Sequence, residues 1–322
     1  MKRETKRKRH SRDLIIEAIK RNIEDNASFR SIANRLKVAP STILRWTSEI
    51  GRSCKNLVEA SLELKPSWSG ILGLDGKPIK ISGWKKAAFL AVDFKTKDLV
   101  HLDFVDVENE KELEKYLLVI KDKLKYPCSF IISDLGKGKV LINLVNKIFP
   151  NVPHQACVIH FMRYVNTRLP KSKKSKYYKQ NNLLREHIKK ILFASNLKEV
   201  DAFLEELLSI KDRFKVKYQK AVIKSFLRHY LLLTRHFHYH KMPRDNNIVE
   251  NVIKQLNRKL KQIDGFKNED NAHNFLKLWA MYYRFKAFTD SKERTNNGKS
   301  PLQLAGVNTS NIDWLVFSKK RS

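Results

Sequence analysis

Apolar positions in the first fifty residues recur every three or four places. Leu14, Ile15, Ala18, Ile19 and Ile23 do so within Arg12–Asn26, which predicts a helix. Ser28 offers an N-cap to a second helix ending at Leu36, and Lys37-Val38-Ala39 makes a tight turn. Pro40 suits the first position of a third helix that runs through Trp46. Ile32, Leu36, Val38, Ile43 and Trp46 can close a small core between these helices. Gly51 to Pro66 reads as a joining segment with a short helix.

From Trp68 the period changes. Ile71–Leu74, Lys77–Ile81 and Ala87–Phe94 are apolar strand candidates, and Leu99–Val107 alternates. Glu108–Lys123 is a helix with Leu113, Leu117, Leu118 and Ile120 on its buried side. Ser129–Ser133 is a compact strand, Lys139–Phe149 a helix stopped by Pro150, and His154–His160 either a strand or the start of a helix. The order β-β-β-β-α-β-α-β predicts an α/β fold, a mixed sheet flanked by helices. Whether Lys77–Ile81 stands alone or forms a hairpin with its neighbour stays open. Phe161 to about Tyr239 is helical and basic, with helices at Asn182–Ala194, Leu197–Ser209 and Val216–Thr234. A further helix starts near Asn247, and an amphipathic one spans Asn271–Ala287. The expected segments are 1–50, 51–67, 68–160, 161–245 and 246–322.

Charge sharpens the picture. Lys and Arg number 65 against 33 Asp and Glu, a net of +32. Such an excess repels itself unless a polyanion answers it, and a phosphate backbone does so through counterion release. No lipidation motif or amphipathic anchor points to a membrane surface instead. A hydrophobic share of 42% with 17 Phe excludes wholesale disorder. Cys54, Cys128 and Cys157 are too few, and odd in number, for a secreted disulfide framework. No apolar signal core follows the basic Met1–Arg9 arm, and no run is long enough to span a bilayer. The expectation is an intracellular protein, in the cytoplasm or nucleoid of a prokaryote or the nucleus of a eukaryote.

On a basic chain, the second and third helices with the Lys37–Ala39 turn between them resemble a helix-turn-helix that reads double-stranded DNA. Ser41, Thr42 and Arg45 would face base edges and phosphates, with Arg30 beside them. A plain helical hairpin is the alternative. The run Lys171–Lys179, with Lys173 and Lys174, is either a solvated loop or a contact to the DNA backbone.

Phosphodiester chemistry needs charge neutralised on attacking and leaving oxygens, which carboxylate-held divalent metals supply. Asp75 follows Gly-Ile-Leu-Gly-Leu and Asp134 follows Phe-Ile-Ile-Ser, so each acid sits at a strand end. Adjacent central strands would bring them together. Each also has a structural reading: Asp75-Gly76 is a common hairpin dipeptide, and Asp134-Leu-Gly136 fits an Asp-initiated turn. Asn247-Ile-Val-Glu250 likewise fits an N-cap with its reciprocal glutamate. Asp93, Asp103 and Asp106 lie in strand territory too.

Read together, Leu74-Asp75-Gly76, Phe130-Ile-Ile-Ser-Asp134, the Cys157-Val-Ile-His160 pair, Asn246-Asn247-Ile-Val-Glu250 and Ser300-Pro-Leu-Gln-Leu-Ala-Gly306 resemble, in order, the motifs of DDE transposases of the mutator-like and bacterial insertion-sequence type. The similarity runs from about residue 68 to 307. It implies an RNase H-like core with a helical insertion between the second and third acids. It implies Asp75, Asp134 and Glu250 as catalytic ligands of Mg²⁺ or Mn²⁺, two ions in all. The implied chemistry is cut-and-paste transposition: hydrolysis at the transposon end, then in-line attack of the freed 3′-hydroxyl on target DNA. The partners implied are transposon ends and target DNA, with at least a homodimer in the synaptic complex.

Two other readings stand beside it. One is a catalytically inactive, domesticated relative that only binds specific DNA. The other is an RNase H-like nuclease acting on other nucleic acids, against which the helix-turn-helix argues. Cys157 and His160 lack the second Cys/His pair a structural zinc would need, so they are expected to be metal-free, either packing beside the acids or touching DNA, and the role of Asn247 is left undefined. Arg235-His-Phe-His-Tyr-His240 would line its histidines along one side of a strand, either to bind metal or to contact phosphate near Glu250. Trp279, Tyr282 and Tyr283 fit core packing or stacking on unpaired bases.

Overall fold

The computed structural model describes residues 10–81, 84–106, 108–135, 140–263 and 265–320. The basic arm Met1–Arg9 lies outside them, as do Val107 and Lys139 at the ends of two expected elements.

Four helices open the chain: α1 Arg12–Ile23, α2 Phe29–Leu36, α3 Pro40–Ser53 and α4 Leu57–Leu64. Ser28 Oγ accepts from Ser31 N and starts α2. Lys37 closes it in the left-handed region at φ 53°, which turns the chain sharply into Pro40, the first residue of α3. Five strands follow, interleaved with helices: β1 Ile71–Ile81, β2 Trp84–Asp93, β3 Leu99–Val105, α5 Glu110–Leu118, β4 Phe130–Ser133, α6 Val140–Ile148 and β5 His154–Ala156. The sheet order is β3-β2-β1-β4-β5. β1 pairs antiparallel with β2 and parallel with β4; β2 and β3 are antiparallel, β4 and β5 parallel.

Lys77–Ile81 is therefore not a separate strand. Asp75 and Gly76 pair with Leu90 and Phe89 in a ladder that runs unbroken from Leu72 to Ile81. Asp75 is thus not at the end of a strand. It sits where β1 outlasts its pairing with β4, which stops at Leu74 opposite Ser133.

Alternation along β1 sorts its side chains. Leu72 and Leu74, both 0% exposed, pack with α5 and α6 on one face. Each buried leucine contributes about 1.5–3 kcal/mol. Gly73, Ile79 and Ile81 face the other way, toward α11 Asn247–Ile263 and α12 Glu269–Phe285. The N-terminal helices join that second face instead of closing a core of their own: Ile19, Ile32, Ile43 and Trp46 share one apolar cluster with Leu256, Phe275 and Trp279. α3 approaches α12 so closely that a Cβ on Gly51 would lie 2.3 Å from the Asn274 carbonyl oxygen. Trp279 and Tyr283 are core residues, stacked on each other at 5.6 Å. The structure favours packing over base stacking for both.

Beyond β5, α7 Val158–Arg168, α8 Tyr178–Leu192, α9 Leu197–Ile210 and α10 Lys217–Leu233 build a helical unit with its own apolar cluster. Gln155 in β5 anchors it: its amide donates to Leu233 O at 3.0 Å, and its Oε1 accepts from His236 N at 2.8 Å. The Arg235–His240 stretch is a 3₁₀ turn, Arg235–Phe237, followed by further turns. Its histidines do not line one side of a strand, because the segment must turn out of α10 to reach Gln155. Two short helices, α13 Pro301–Leu304 and α14 Trp314–Ser318, end the fold.

A buried ion pair ties the layers together. Arg284 in α12 and Asp98 before β3 are both 0% exposed, joined at 2.8 and 2.7 Å, and Arg284 also donates to Ser61 of α4. Asp93, one of the strand-region acids, is likewise structural: it accepts from Ser69, Thr96 and Tyr126. Among the described residues, no helix is long and apolar enough to cross a membrane.

Candidate active site

Three chain segments meet where β1 and β4 part. The first two bring Asp75 and Asp134 side by side, since Leu74 and Ser133 are paired immediately before them. Each carboxylate accepts a local backbone N–H: Asp75 from Gly76 at 2.8 Å, Asp134 from Leu135 at 2.7 Å. Asp75 lies on the same side of β1 as Gly73, the side that faces α11.

The third segment is the start of α11, and Asn246 fixes it. Its side-chain amide donates to Leu74 O at 2.8 Å, the carbonyl just before Asp75. Its backbone N–H donates to Cys157 Sγ at 3.3 Å, and its carbonyl accepts from Glu250 N. Asn246 is fully buried, whereas Asn247 is exposed. The sequence motif contains both asparagines, and an Asn-Asn dipeptide before a helix does not reveal which side chain turns inward. Gly73 makes the approach of α11 possible: a Cβ there would stand 2.5 Å from Val249 Cγ2 and 2.6 Å from Asn246 Oδ1.

α7 closes the site. Cys157 N donates to Ser133 O at 2.8 Å, which sets the helix start beside Asp134. His160 and Arg163, three residues apart, then share a helix face. Arg163 donates to both oxygens of Glu250, each at 2.8 Å, and His160 Nε2 is 3.5 Å from Glu250 Oε1. Arg163 was not anticipated from sequence. Its position one turn after His160 was the available signal, but its partner lies 87 residues away.

The electrostatics follow from this crowding. Burial pushes the Asp75 carboxyl up to about 6, with Asp134 and Glu250 adding to the rise and His160 and the Gly76 N–H opposing it. The hydrogen bond to Cys157 first, then Asp134 and Asp75, hold His160 protonated, up at about 9 against the cost of burial. Burial would raise Glu250 as well, but Arg163 and His160 bring it below its ordinary value.

Among the described residues, Cys157, His160 and Glu250 are the His, Cys or acid group whose ligand atoms all lie within 4.8 Å of one another. We read this trio as a positioning contact. Its sulfur already accepts from Asn246 N, and its carboxylate is clamped by Arg163. The three acids are neighbours in charge but not gathered that tightly, and Glu250 is held by Arg163. As donors they are hard oxygens, which suit Mg²⁺ or Mn²⁺.

The other residues singled out from sequence lie apart. Arg30, Ser41 and Arg45 are exposed on α2 and α3, and Thr42 is half-buried. Lys173 and Lys174 are exposed in the turn before α8.

A five-stranded mixed sheet with acids collected where adjacent strands part, in a chain of net charge +32, defines a mixed α/β protein with an acidic cluster on a basic background. Residues 7–286 match the family described as "Transposase, Mutator family", and the chain belongs to that family of transposases. Over 179 residues it is 24% identical to the transposase for insertion sequence element IS256 in transposon Tn4001 of Staphylococcus aureus, and equally to its counterpart of the same name in Enterococcus faecalis. Each match covers 52% of this chain and 41% of the relative, so it spans less than half of those proteins.

Proposed function

We propose that this transposase cuts and joins DNA by metal-dependent phosphodiester chemistry at Asp75, Asp134 and Glu250. The observation that carries the reading is convergence: segments 59 and 175 residues from Asp75 are locked onto its strand by Ser133–Leu74 pairing and by the Asn246 amide. Asp75 is raised first by burial, and Asp134 and Glu250 add to the rise, so the three carboxylates sense one another across the site.

Asp75, Asp134 and Glu250 would hold one or two Mg²⁺ or Mn²⁺ ions. When bound, such ions neutralise charge on the attacking and leaving oxygens of an in-line displacement. The chain's own residues do the rest. Asn246 and Gly73 fix α11 against β1 and so place Glu250. Arg163 holds Glu250 by both oxygens until the site is used, and its side chain, 56% exposed, is free to exchange that contact for a phosphate oxygen. His160, kept protonated, adds positive charge beside the acids.

The surrounding sheet, with its helical unit between Asp134 and Glu250, supports an RNase H-like core. α2 and α3 serve as a helix-turn-helix for double-stranded DNA, with Arg30, Ser41, Thr42 and Arg45 on the DNA side. Lys173 and Lys174 contact its backbone. Cut-and-paste transposition follows: hydrolysis frees a 3′-hydroxyl at the transposon end, which then attacks target DNA, in a complex of at least two copies.

The test is cleavage and strand transfer on labelled DNA carrying the element's ends, with Mg²⁺ or Mn²⁺, comparing the native chain with Asp134→Asn. Expected is metal-dependent cutting that falls by a factor on the order of 10³ or more in the variant, with DNA binding retained. Equal cutting by both removes Asp134 from the site. Binding without cutting by either makes the chain a DNA-binding relative that has lost its chemistry.

A further inference from the structure

We infer that a groove flanking α11 holds a single DNA strand next to the cut site. The inference rests on the DNA-cutting reading above and adds a second binding surface to it. α11 carries Glu250 in its first turn and, on its adjoining flank, presents Ile248, Asn251, Gln255 and Arg258 to a groove of about 620 Å³. The opposite wall is the segment from Lys286 to Glu293 that follows α12. The groove therefore starts about one turn from a proposed catalytic ligand and runs away from it along the same helix.

Its lining combines two chemistries. Lys97, Lys254, Arg258, Lys286 and Lys292 outnumber Asp290 and Glu293. Lys97 is engaged with Glu293 at 3.4 Å and Ser291 at 3.3 Å. Lys254, Arg258, Lys286 and Lys292 form no ion pair with a described residue, and all four are exposed. Between the cations lie Ile248, Val252 and the half-buried ring of Phe288.

Cations and an aromatic ring in one groove are what a single strand needs, phosphates on the one and an unstacked base on the other. A duplex keeps its bases stacked inside and has none to offer the ring, and its proposed contact is on α2 and α3 instead. The volume falls within the range of about 300–1,000 Å³ typical of sites that enclose a small molecule, room for a short stretch of strand.

The experiment measures fluorescence anisotropy of the full chain with labelled oligothymidylate and with a labelled duplex of equal length, across a series of salt concentrations. The variants are Lys254→Gln/Arg258→Gln/Lys286→Gln and, separately, Phe288→Ala. Folding of each is checked by circular dichroism. The triple variant is expected to bind the single strand roughly tenfold more weakly, with a log–log salt slope smaller by about two, since each lost phosphate contact on a single strand removes about 0.7. Its duplex affinity is expected to stay within about twofold, because α2 and α3 carry that contact. Phe288→Ala is expected to weaken single-strand binding severalfold with the slope unchanged. Unchanged single-strand binding in the triple variant overturns the inference, and so does an equal loss on both DNAs. A native chain that binds duplex but not single strand overturns the groove alone. A native chain that binds neither overturns the transposase reading with it.

Discussion

At the scale of single residues, Glu250 is the point of tension. Both its oxygens are held by Arg163, yet its proposed task is to ligate a cation. A bidentate guanidinium competes directly for the lone pairs a metal would use. Arg163→Ala should therefore tighten Mn²⁺ binding to the DNA-free protein, by severalfold, read by isothermal titration calorimetry. The side chain is more than half exposed, so solvent already weakens the clamp and a larger gain is not expected. Weaker binding in the variant would mean that Arg163 organises the site instead of guarding it. The three proposed acids stand out in the sequence only in combination, since each alone also fits a turn or a helix cap and the order of motifs is what singles them out. The roles of Asn246 and Arg163 were not legible: both act through partners 172 and 87 residues away, a separation no local pattern encodes.

At the scale of elements, the site depends on one close crossing, α11 over β1. Gly73→Ala would set a methyl group 2.5 Å from Val249 Cγ2 and 2.6 Å from Asn246 Oδ1. Neither neighbour is free to withdraw, because Val249 is buried and the Asn246 amide is bonded to Leu74 O. Overpacking of this kind costs about 1–3 kcal/mol. A shift of α11 by an ångström would cost on the order of 10²-fold in rate through misplaced Glu250. Thermal melting and cleavage rate should both fall; a variant with native melting and native rate would show the crossing to be loose. The same crossing explains what the sequence could and could not give. The strands and most helices follow from periodicity, Ser28 and Pro40 mark real helix starts, and Trp279 and Tyr283 pack as their spacing suggested. The unbroken run of β1 was hidden because Asp75-Gly76 is normally a turn dipeptide. Here β2 supplies hydrogen bonds on both sides of it, and the long-range ladder overrides the local preference. The histidine-rich stretch failed as a strand for a similar reason: its backbone is claimed by Gln155 of β5.

At the scale of the whole molecule, a net charge of +32 already opposes compactness, and acid makes it worse. Two buried histidines set where that happens. Burial first, with Lys123 adding, lowers His101 to about 4; burial and Arg235 do the same to His154, whose Nε2 lies 2.8 Å from Ser133 Oγ. In the unfolded chain both would titrate near 6.5. Between those values the unfolded chain takes up protons that the fold refuses. The stability present above pH 6.5 is therefore lost as pH falls toward 4, by roughly 1–2 kcal/mol per histidine at pH 5. Asp75 acts in the opposite sense, since its raised value lets the fold take up a proton first, and acid relieves its strain between about 6 and 3.8. One carboxyl does not offset two imidazoles and a growing charge, so denaturation midpoints should drop steadily from pH 7 to pH 5. His101→Phe keeps a ring against Tyr116, which His101 contacts at 4.6 Å, while removing the proton. It should make that slope shallower, with His154 and His236, the latter also lowered to about 4 by burial and Arg244, supplying the remainder. An unaltered slope in the variant would place the acid sensitivity in the surface charge and not in the core.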